Sequence, residues 1–225
     1  MTLQELIRRF RVSTRDTALP YLFPDEDVTD WLNDALEQAC IRGRLIRDDS
    51  TAAVTRIALT AGTHTYSLHE SAYELISLRL LRLSGDKPIT LKLQSREWMD
   101  CNQPEWRDET RNVSDTRTVI QDDTSLRMVG VITTGDVLEL ECYRLPLDPL
   151  ATDVDEPEIH RSHHLHLIQW ALHRAYSIPD VEVFDPNRAE QAERAFTRYF
   201  GLLPNADMRR MTREDTDHAS ESVLP

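Results

Sequence analysis

Apolar residues in the first fifty positions recur at steps of three and four, the spacing of one face of an α-helix. This pattern predicts a short helix over 2–10, and an irregular connector with two prolines follows it. A longer helix is predicted to begin near Asp25–Asp27, where carboxylates lie against the positive end of the helix dipole. The two stripes comprise Leu3, Leu6, Ile7 and Phe10, and then Val28, Trp31, Leu32, Ala35, Leu36, Ala39 and Ile46.

From about 53 to 145 the pattern changes to β-branched residues and alternating apolar and polar positions, which is typical of strands. The segments AVTRIALT, THTYSL, ELISLRLLRL, ITLKL, TRTVIQ, SLRMVG and DVLELECYRL show it. SREWMDCNQPEW interrupts them and predicts a short helix and a loop. We therefore expect an antiparallel β element of about five to seven strands.

Helical spacing returns after the acidic, proline-containing linker LPLDPLATDVDEPE. One helix is predicted over 159–177. A second has a clear start, with Asp185 at the N-cap and Pro186 at the first helical position, and Gly201 marks its end. The last residues, from 202 to 225, are polar and aperiodic, so we expect them to become ordered only by docking on a partner.

These elements predict an α+β fold in which N- and C-terminal helices form a small bundle with an inserted antiparallel β element and an extended C-terminal tail. The predicted segments are 1–50 for the N-terminal helices, 51–147 for the β-rich insertion, 148–201 for the C-terminal helices, and 202–225 for the arm. The residues expected in the bundle core are Trp31, Leu32, Ala35, Leu165, Ile168, Leu172, Phe196 and Phe200.

Composition narrows the class of protein. The formal charge of −13 argues against a protein that grips nucleic acid, which would carry a basic face. No apolar run is long enough for a membrane span, and the N-terminus lacks the apolar core of a signal peptide. Cys40, Cys101 and Cys142 are far apart in the sequence, which disfavours a disulfide framework or a zinc ribbon and suits a reducing cytoplasm.

Five of the eight histidines lie between His160 and His173, which raises the question of a metal or catalytic site. On a helical wheel, an apolar arc of about 140° holds Leu165, Ile168, Ala171, Leu172, Ala175 and Tyr176. His164 lies on this arc and His160 at its edge, whereas His163 falls near Trp170, almost opposite. Because the histidines are scattered around the helix, one metal ion cannot bind all five.

One pair remains as an alternative, since His160 and His164 have the i, i+4 spacing of two zinc ligands. This pair keeps a zinc-dependent hydrolase open as an alternative function. The intervening residues lack the glutamate of an HExxH motif, and a third ligand would have to come from elsewhere, for example Glu158 or Asp155. No nucleophile elbow, phosphate-binding glycine loop or EF-hand loop is present. We therefore predict no enzyme activity and no cofactor, and favour an interaction role.

Several segments resemble one family, the head-to-tail adaptor (connector) proteins of tailed bacteriophages. VTDWLNDALEQACIRGRLI is similar to the family's tryptophan–leucine–asparagine–x–alanine helix, and YSLHESAYELISLRLL to the start of its β region. The C-terminal match is PEIHRSHHLHLIQWALHRAYSIPDVEVFDPNRAEQAERAFTRYFG. The matched positions there are Pro157, Ile159, His164–Leu167, Trp170, Ala171, Ala175, Tyr176, Asp180, Ala192, Phe196 and Phe200–Gly201.

The resemblance implies a structural virion protein at the head–tail interface, assembled in the host cytoplasm. It implies a ring, usually of about twelve copies, that binds the portal protein, docks a tail nozzle or tail tube protein, and lets DNA pass without specific binding. Residues 202–225 would dock on the portal, with Met208, Arg209, Arg210 and Met211 as anchors. A tail terminator or a head-completion stopper, both also ring-forming, is the alternative that the sequence separates least well.

Overall fold

The computed structural model describes residues 1–108, 117–179 and 183–204, and within these ranges it contains six helices and eight strands. The helices are α1 (Leu3–Thr14), α2 (Asp25–Gly43), α3 (Ala52–Thr55), α4 (Arg96–Asn102), α5 (Arg161–Tyr176) and α6 (Pro186–Phe200). The strands are β1 (Arg47–Asp48), β2 (Arg56–Ala58), β3 (Thr65–Ser67), β4 (Ala72–Leu81), β5 (Ile89–Leu93), β6 (Thr118–Gln121), β7 (Ser125–Val129) and β8 (Val137–Arg144).

The described chain divides into two compact units. The helical unit combines residues 1–47 with 144–204, and the sheet unit comprises residues 48–143. The helical unit therefore brings together the two ends of the described chain, whereas the sheet unit is one continuous segment.

Local sequence explains where the main helices begin and end. In α1, Thr2 and Glu5 form a capping box, in which each side chain accepts a hydrogen bond from the other's backbone N–H at 3.3 Å. In α6, the Asp185 side chain accepts from the backbone N–H of Arg188 at 3.1 Å, and Gly201 ends the helix with a φ of 97°. The N-cap and C-cap predicted for α6 are thus confirmed.

The core of the helical unit is formed by α1, α2, α5 and α6 together with Phe23, Ile46 and Leu150. Of the residues expected in the bundle core, Leu32, Ala35, Ile168, Phe196 and Phe200 are buried there, while Trp31 and Leu172 are partly buried against it.

Leu165 is a correction to the predicted core, because its side chain is 53% exposed. The buried face of α5 is centred about 100° around the helix from Leu165, near Ala171 and Ala175, and it includes Trp170. The predicted arc was displaced because α5 packs against α1, α2 and α6 at once, so its buried face also includes Leu167 and Trp170, which lie outside that arc.

The sheet unit corrects the predicted fold class. Its strands form a curled, mixed, eight-stranded sheet with the order β1-β8-β4-β5-β6-β7-β3, and β2 also pairs with β8. β5 and β6 run parallel, with Lys92 opposite Thr118 and Leu93 opposite Val119. A small helical bundle carrying an antiparallel β insertion is therefore wrong, since the sheet is a major part of the structure and is not purely antiparallel.

The parallel pair has a physical cause in the connection between β5 and β6. A hairpin reverses the chain, whereas parallel neighbours need a crossover of a dozen or more residues. Here the connection includes α4, whose first turn is capped by the Ser95 side chain accepting from the backbone N–H of Trp98 at 3.0 Å. The predicted interruption is thus the crossover itself.

Two clusters of side chains stabilise the sheet unit. The larger cluster contains buried residues that include Leu78, Leu80, Leu126, Met128 and Leu138. A small cluster forms beside β6 and β7 from Met99, Trp106, Ile120 and Val129.

Candidate interaction surface

The His160–His164 pair, which raised the zinc alternative, is occupied by structural hydrogen bonds. His160 is the N-cap of α5, and its Nδ1 accepts from the backbone N–H of Ser162 at 3.3 Å. His164 is buried; its Nε2 donates to the carbonyl of Ile159 at 2.9 Å, and its Nδ1 lies 2.8 Å from the Met1 amino nitrogen. Both ring nitrogens of His164 are therefore engaged, and neither is directed at an open site.

The two carboxylates proposed as a third zinc ligand are also engaged. Glu158 pairs with Arg144 and accepts from the backbone N–H of Leu147 at 3.0 Å. Asp155 accepts from Thr152, through its hydroxyl and its backbone N–H, and from Ala151, and these hydrogen bonds lower the pKa of its carboxyl. Within the described residues, no three or more His, Cys, Asp or Glu side chains are grouped so as to hold a metal ion.

The other histidines of α5 pack against α6. His166 stacks on the ring of Tyr199 with centroids 3.4 Å apart, and His163 lies 3.2 Å from the Tyr199 hydroxyl. Partial burial, together with repulsion from His160, His166 and His164, lowers the pKa of His163. His173 contacts the carbonyl of Ala189 through Nδ1 at 3.1 Å. His163, His166 and His173 thus contribute to the packing of α5 against α6.

Trp170 lies at the point where α2, α5 and α6 meet. Its indole N–H donates to Asp34 at 2.8 Å, and the guanidinium of Arg42 lies over its ring at 4.8 Å. Arg42 also lies 5.2 Å from the ring of Phe196 and donates to the hydroxyl of Thr197 at 3.0 Å. Burial lowers the pKa of Arg42. This cluster fixes the three helices of the unit against one another.

Asn33 has a structural role that sequence reasoning missed. Its side-chain amide donates to the carbonyl of Leu150 at 2.9 Å and accepts from the Leu150 backbone N–H at 2.8 Å. An asparagine directly beside the apolar stripe of α2, next to Leu32, was the available signal. The pair holds the linker that leads into α5 against α2, which accounts for the asparagine of the WLNDA segment.

A second feature missed at the sequence level is the ion pair of Arg11 with Asp16, whose side chains are both buried. Arg11 also donates to the carbonyl of Phe23 at 3.0 Å, pairs with Asp25, and lies over the ring of Tyr21 at 3.5 Å. Asp16 accepts from the backbone N–H groups of Leu22 and Phe23, at 2.9 and 3.1 Å. These hydrogen bonds and ion pairs therefore hold the connector between α1 and α2 in place, so it is not a flexible linker.

The held connector presents apolar side chains to solvent. Leu19 is 79% exposed and Leu22 is 51% exposed, and Val12, in the last turn of α1, is 61% exposed. Three exposed arginines, Arg8, Arg9 and Arg15, belong to the same helix or its cap. Exposed apolar residues that are grouped and held in place are typical of protein–protein contact surfaces.

In the sheet unit, the exposed large apolar side chains include Leu83, Val131 and Trp98. The backbone N–H of Leu83 donates to the buried carboxylate of Asp136 at 2.9 Å, which fixes the end of β4. Trp106, by contrast, is buried, and its indole N–H donates to Asp100 at 2.7 Å. The arm residues Met208, Arg209, Arg210 and Met211 lie outside the described residues.

The exposed apolar side chains described above suit protein–protein contact, and the comparisons with known proteins point to a protein that makes such contacts. In the part of the chain that the structure describes, no helix is both long and apolar enough to cross a bilayer. No curated protein matches the chain. The family model described as SU10 adaptor protein matches residues 1–219. The chain therefore belongs to the SU10 adaptor family, whose members are structural virion proteins of the phage head-to-tail junction.

Proposed function

We propose that this adaptor assembles as a ring of about twelve copies beneath the portal, extends the DNA channel and presents a docking surface for the tail. The observation that carries the proposal is the family match, which spans residues 1–219 and so includes both units and most of the arm. The exposed apolar residues of the connector and of the sheet unit support it, because a ring component needs several contact surfaces.

The portal contact is assigned to the arm, residues 202–225. Met208 and Met211 would enter apolar pockets, while Arg209 and Arg210 would pair with carboxylates on the portal. Leu202 and Leu203, where the arm leaves α6, have exposed side chains. The sheet unit, over about 53–145, would contact neighbouring subunits or the tail nozzle.

The charge of the chain suits a channel through which DNA moves. About twelve copies would carry a formal charge on the order of −150, and acidic walls repel phosphate and so disfavour sticking. DNA would therefore pass the ring without being bound by it.

The test is mass photometry of the untagged protein mixed with the portal ring of the same phage. We expect a discrete mass increase of about a dozen copies per portal, and its loss when residues 202–225 are deleted. Within the arm, the doubles Met208→Ala/Met211→Ala and Arg209→Ala/Arg210→Ala should each weaken binding. The double Arg194→Ala/Arg198→Ala on α6 removes as many arginines and should leave binding unchanged.

Two results would contradict the proposal at different levels. If portal binding survives the deletion, the arm is not the portal contact, and the proposal of a ring is unaffected. A full-length protein that never associates with the portal, at several salt concentrations, would remove the portal-binding function itself.

A further inference from the structure

The solvent face of α1 is cationic in an otherwise acidic chain. At about 100° per residue, Arg8, Val12 and Arg15 fall within about 60° of one another, opposite the buried Leu6 and Phe10, and Arg9 lies about 60° beyond Val12. Arg8, Arg9 and Arg15 are all exposed, and none forms an ion pair with another residue that the structure describes. Their charges are therefore available to a partner.

The connector that follows α1 adds exposed apolar side chains. Asp16 directly follows Arg15, and its carboxylate accepts from the backbone N–H of Leu22, so Leu22 is held at the end of α1. Leu19 lies between Asp16 and Leu22 in the sequence and has the most exposed large apolar side chain of the connector. We name Arg8, Arg9, Val12, Arg15, Leu19 and Leu22 the α1-end patch.

The way in which the patch is held distinguishes it from an ordinary loop. A flexible linker could turn Leu19 and Leu22 inward or leave them mobile, whereas the buried Arg11–Asp16 pair fixes the backbone that carries them. Buried ion pairs are costly unless their geometry is well satisfied. A connector fixed in this way, with leucines pointing to solvent, is preorganised for a contact.

We infer that the α1-end patch docks on a neighbouring copy of this chain in the adaptor ring. The inference rests on the proposed ring and names one of its contacts. Copies with a formal charge of −13 repel one another, so a stable contact needs a cationic surface on one side, with apolar area to bury at its centre. The patch has both.

The neighbouring copy offers an acidic surface on α2. Glu26, Asp27 and Asp30 are exposed in its first two turns, and no lysine or arginine occurs between residues 16 and 41. A patch on one copy that contacts a different surface on the next is a heterologous contact, which closes into a ring when the rotation allows. Opposite charges across such a contact set its register.

Charge reversal tests the inference in the presence of the portal ring, with copies per portal read by mass photometry. The double Arg8→Glu/Arg9→Glu should weaken assembly at least about tenfold, because it brings like charges together. The double Glu26→Arg/Asp30→Arg should weaken it similarly. Combining all four substitutions should restore assembly, since the attraction is then re-formed with its signs exchanged. All four side chains are exposed, so each variant should fold.

The matched control is Arg194→Glu/Arg198→Glu, which changes the net charge equally from exposed positions on α6 and should leave assembly intact. A photo-cross-linking residue at position 19 should join one copy to α2 of another. The contact would be overturned by unchanged assembly of Arg8→Glu/Arg9→Glu, by equal loss in the control, or by cross-links to the portal in place of a second copy. In each of these cases, the proposal that the wild-type protein forms a ring on the portal would be unaffected. Failure of the wild-type protein to assemble on the portal would overturn both proposals.

Discussion

At the scale of single residues, the helical unit depends on a few polar side chains inside or beside an apolar core. Arg11 and Asp16 close the connector, Asn33 holds the linker before α5, and Trp170 with Arg42 fixes the meeting of three helices. Each of these groups has specific hydrogen-bond partners, so the loss of one partner leaves another polar group buried and unsatisfied.

The substitution Asp16→Ala should destabilise the helical unit by about 3 kcal/mol, because it leaves Arg11 buried with one carboxylate fewer and frees the N–H groups of Leu22 and Phe23. Urea unfolding followed by circular dichroism measures this. The control is Glu190→Ala, which breaks an exposed pair with Arg194 and should change stability by less than about 0.5 kcal/mol. Equal effects of the two substitutions would show that the Arg11–Asp16 pair does not hold the connector.

The cysteines should differ in reactivity. Burial raises the pKa of the Cys40 thiol to about 12, while Cys101 is exposed. At pH 9 a thiol reagent should therefore label Cys101 rapidly and leave Cys40 protected in the folded protein. Because the folded state favours the neutral thiol, stability should fall as the pH rises from about 9 towards 12, and Cys40→Ser should flatten that fall. Mass spectrometry of the labelled peptides and unfolding curves across this range are the measurements; rapid labelling of Cys40 would contradict the prediction.

At the scale of elements, the periodic segments located α1, α2, α5 and α6, because amphipathic spacing and helix caps act over a few residues. The predicted end of α1 was wrong, since the helix continues to Thr14, into the segment expected to be irregular. The orientation of α5 was not predictable in the same way. The helical wheel predicted one apolar arc, but the buried face is decided by which neighbours surround the helix, and three helices do so.

A matched pair of substitutions on α5 checks this orientation. Ile168→Ala should cost about 2–4 kcal/mol, because it leaves a cavity in the core, whereas Leu165→Ala should cost less than about 0.5 kcal/mol in the free protein. Thermal and urea unfolding of the two variants, measured side by side, give the comparison. A larger loss of stability for Leu165→Ala than for Ile168→Ala would show that Leu165 lies on the buried face, as the helical wheel predicted.

At the scale of the whole molecule, the acidic charge governs what the protein can approach. A chain with a formal charge of −13 attracts neither DNA nor another copy of itself through its average field, so any association must come from local surfaces. The α1-end patch is such a surface in the helical unit, and the arm is proposed to be another.

The protein should not retain duplex DNA at about 0.15 M salt, because counterion release from phosphates requires clustered cationic side chains. Fluorescence anisotropy of a labelled duplex, titrated with the protein to about 10 µM, should stay flat, since even non-specific DNA binders reach Kd values of about 1–100 µM. A basic DNA-binding protein titrated in the same buffer shows that the assay responds. Saturable binding at low micromolar protein would contradict the passive-channel proposal.

The residues alone were enough to infer α1, α2, α5 and α6, the caps of α6, most of the short strands and the adaptor resemblance, whereas α3 lies in a segment predicted to be a strand. These follow from spacing, capping chemistry and short motifs, all of which act locally. The direction of β6 beside β5, the wide buried face of α5 and the closed connector at Arg11 depended on packing between segments distant in sequence. Alternation of apolar and polar side chains is the same in parallel and antiparallel strands, and an arginine buried by its partners reads in the sequence like any exposed one.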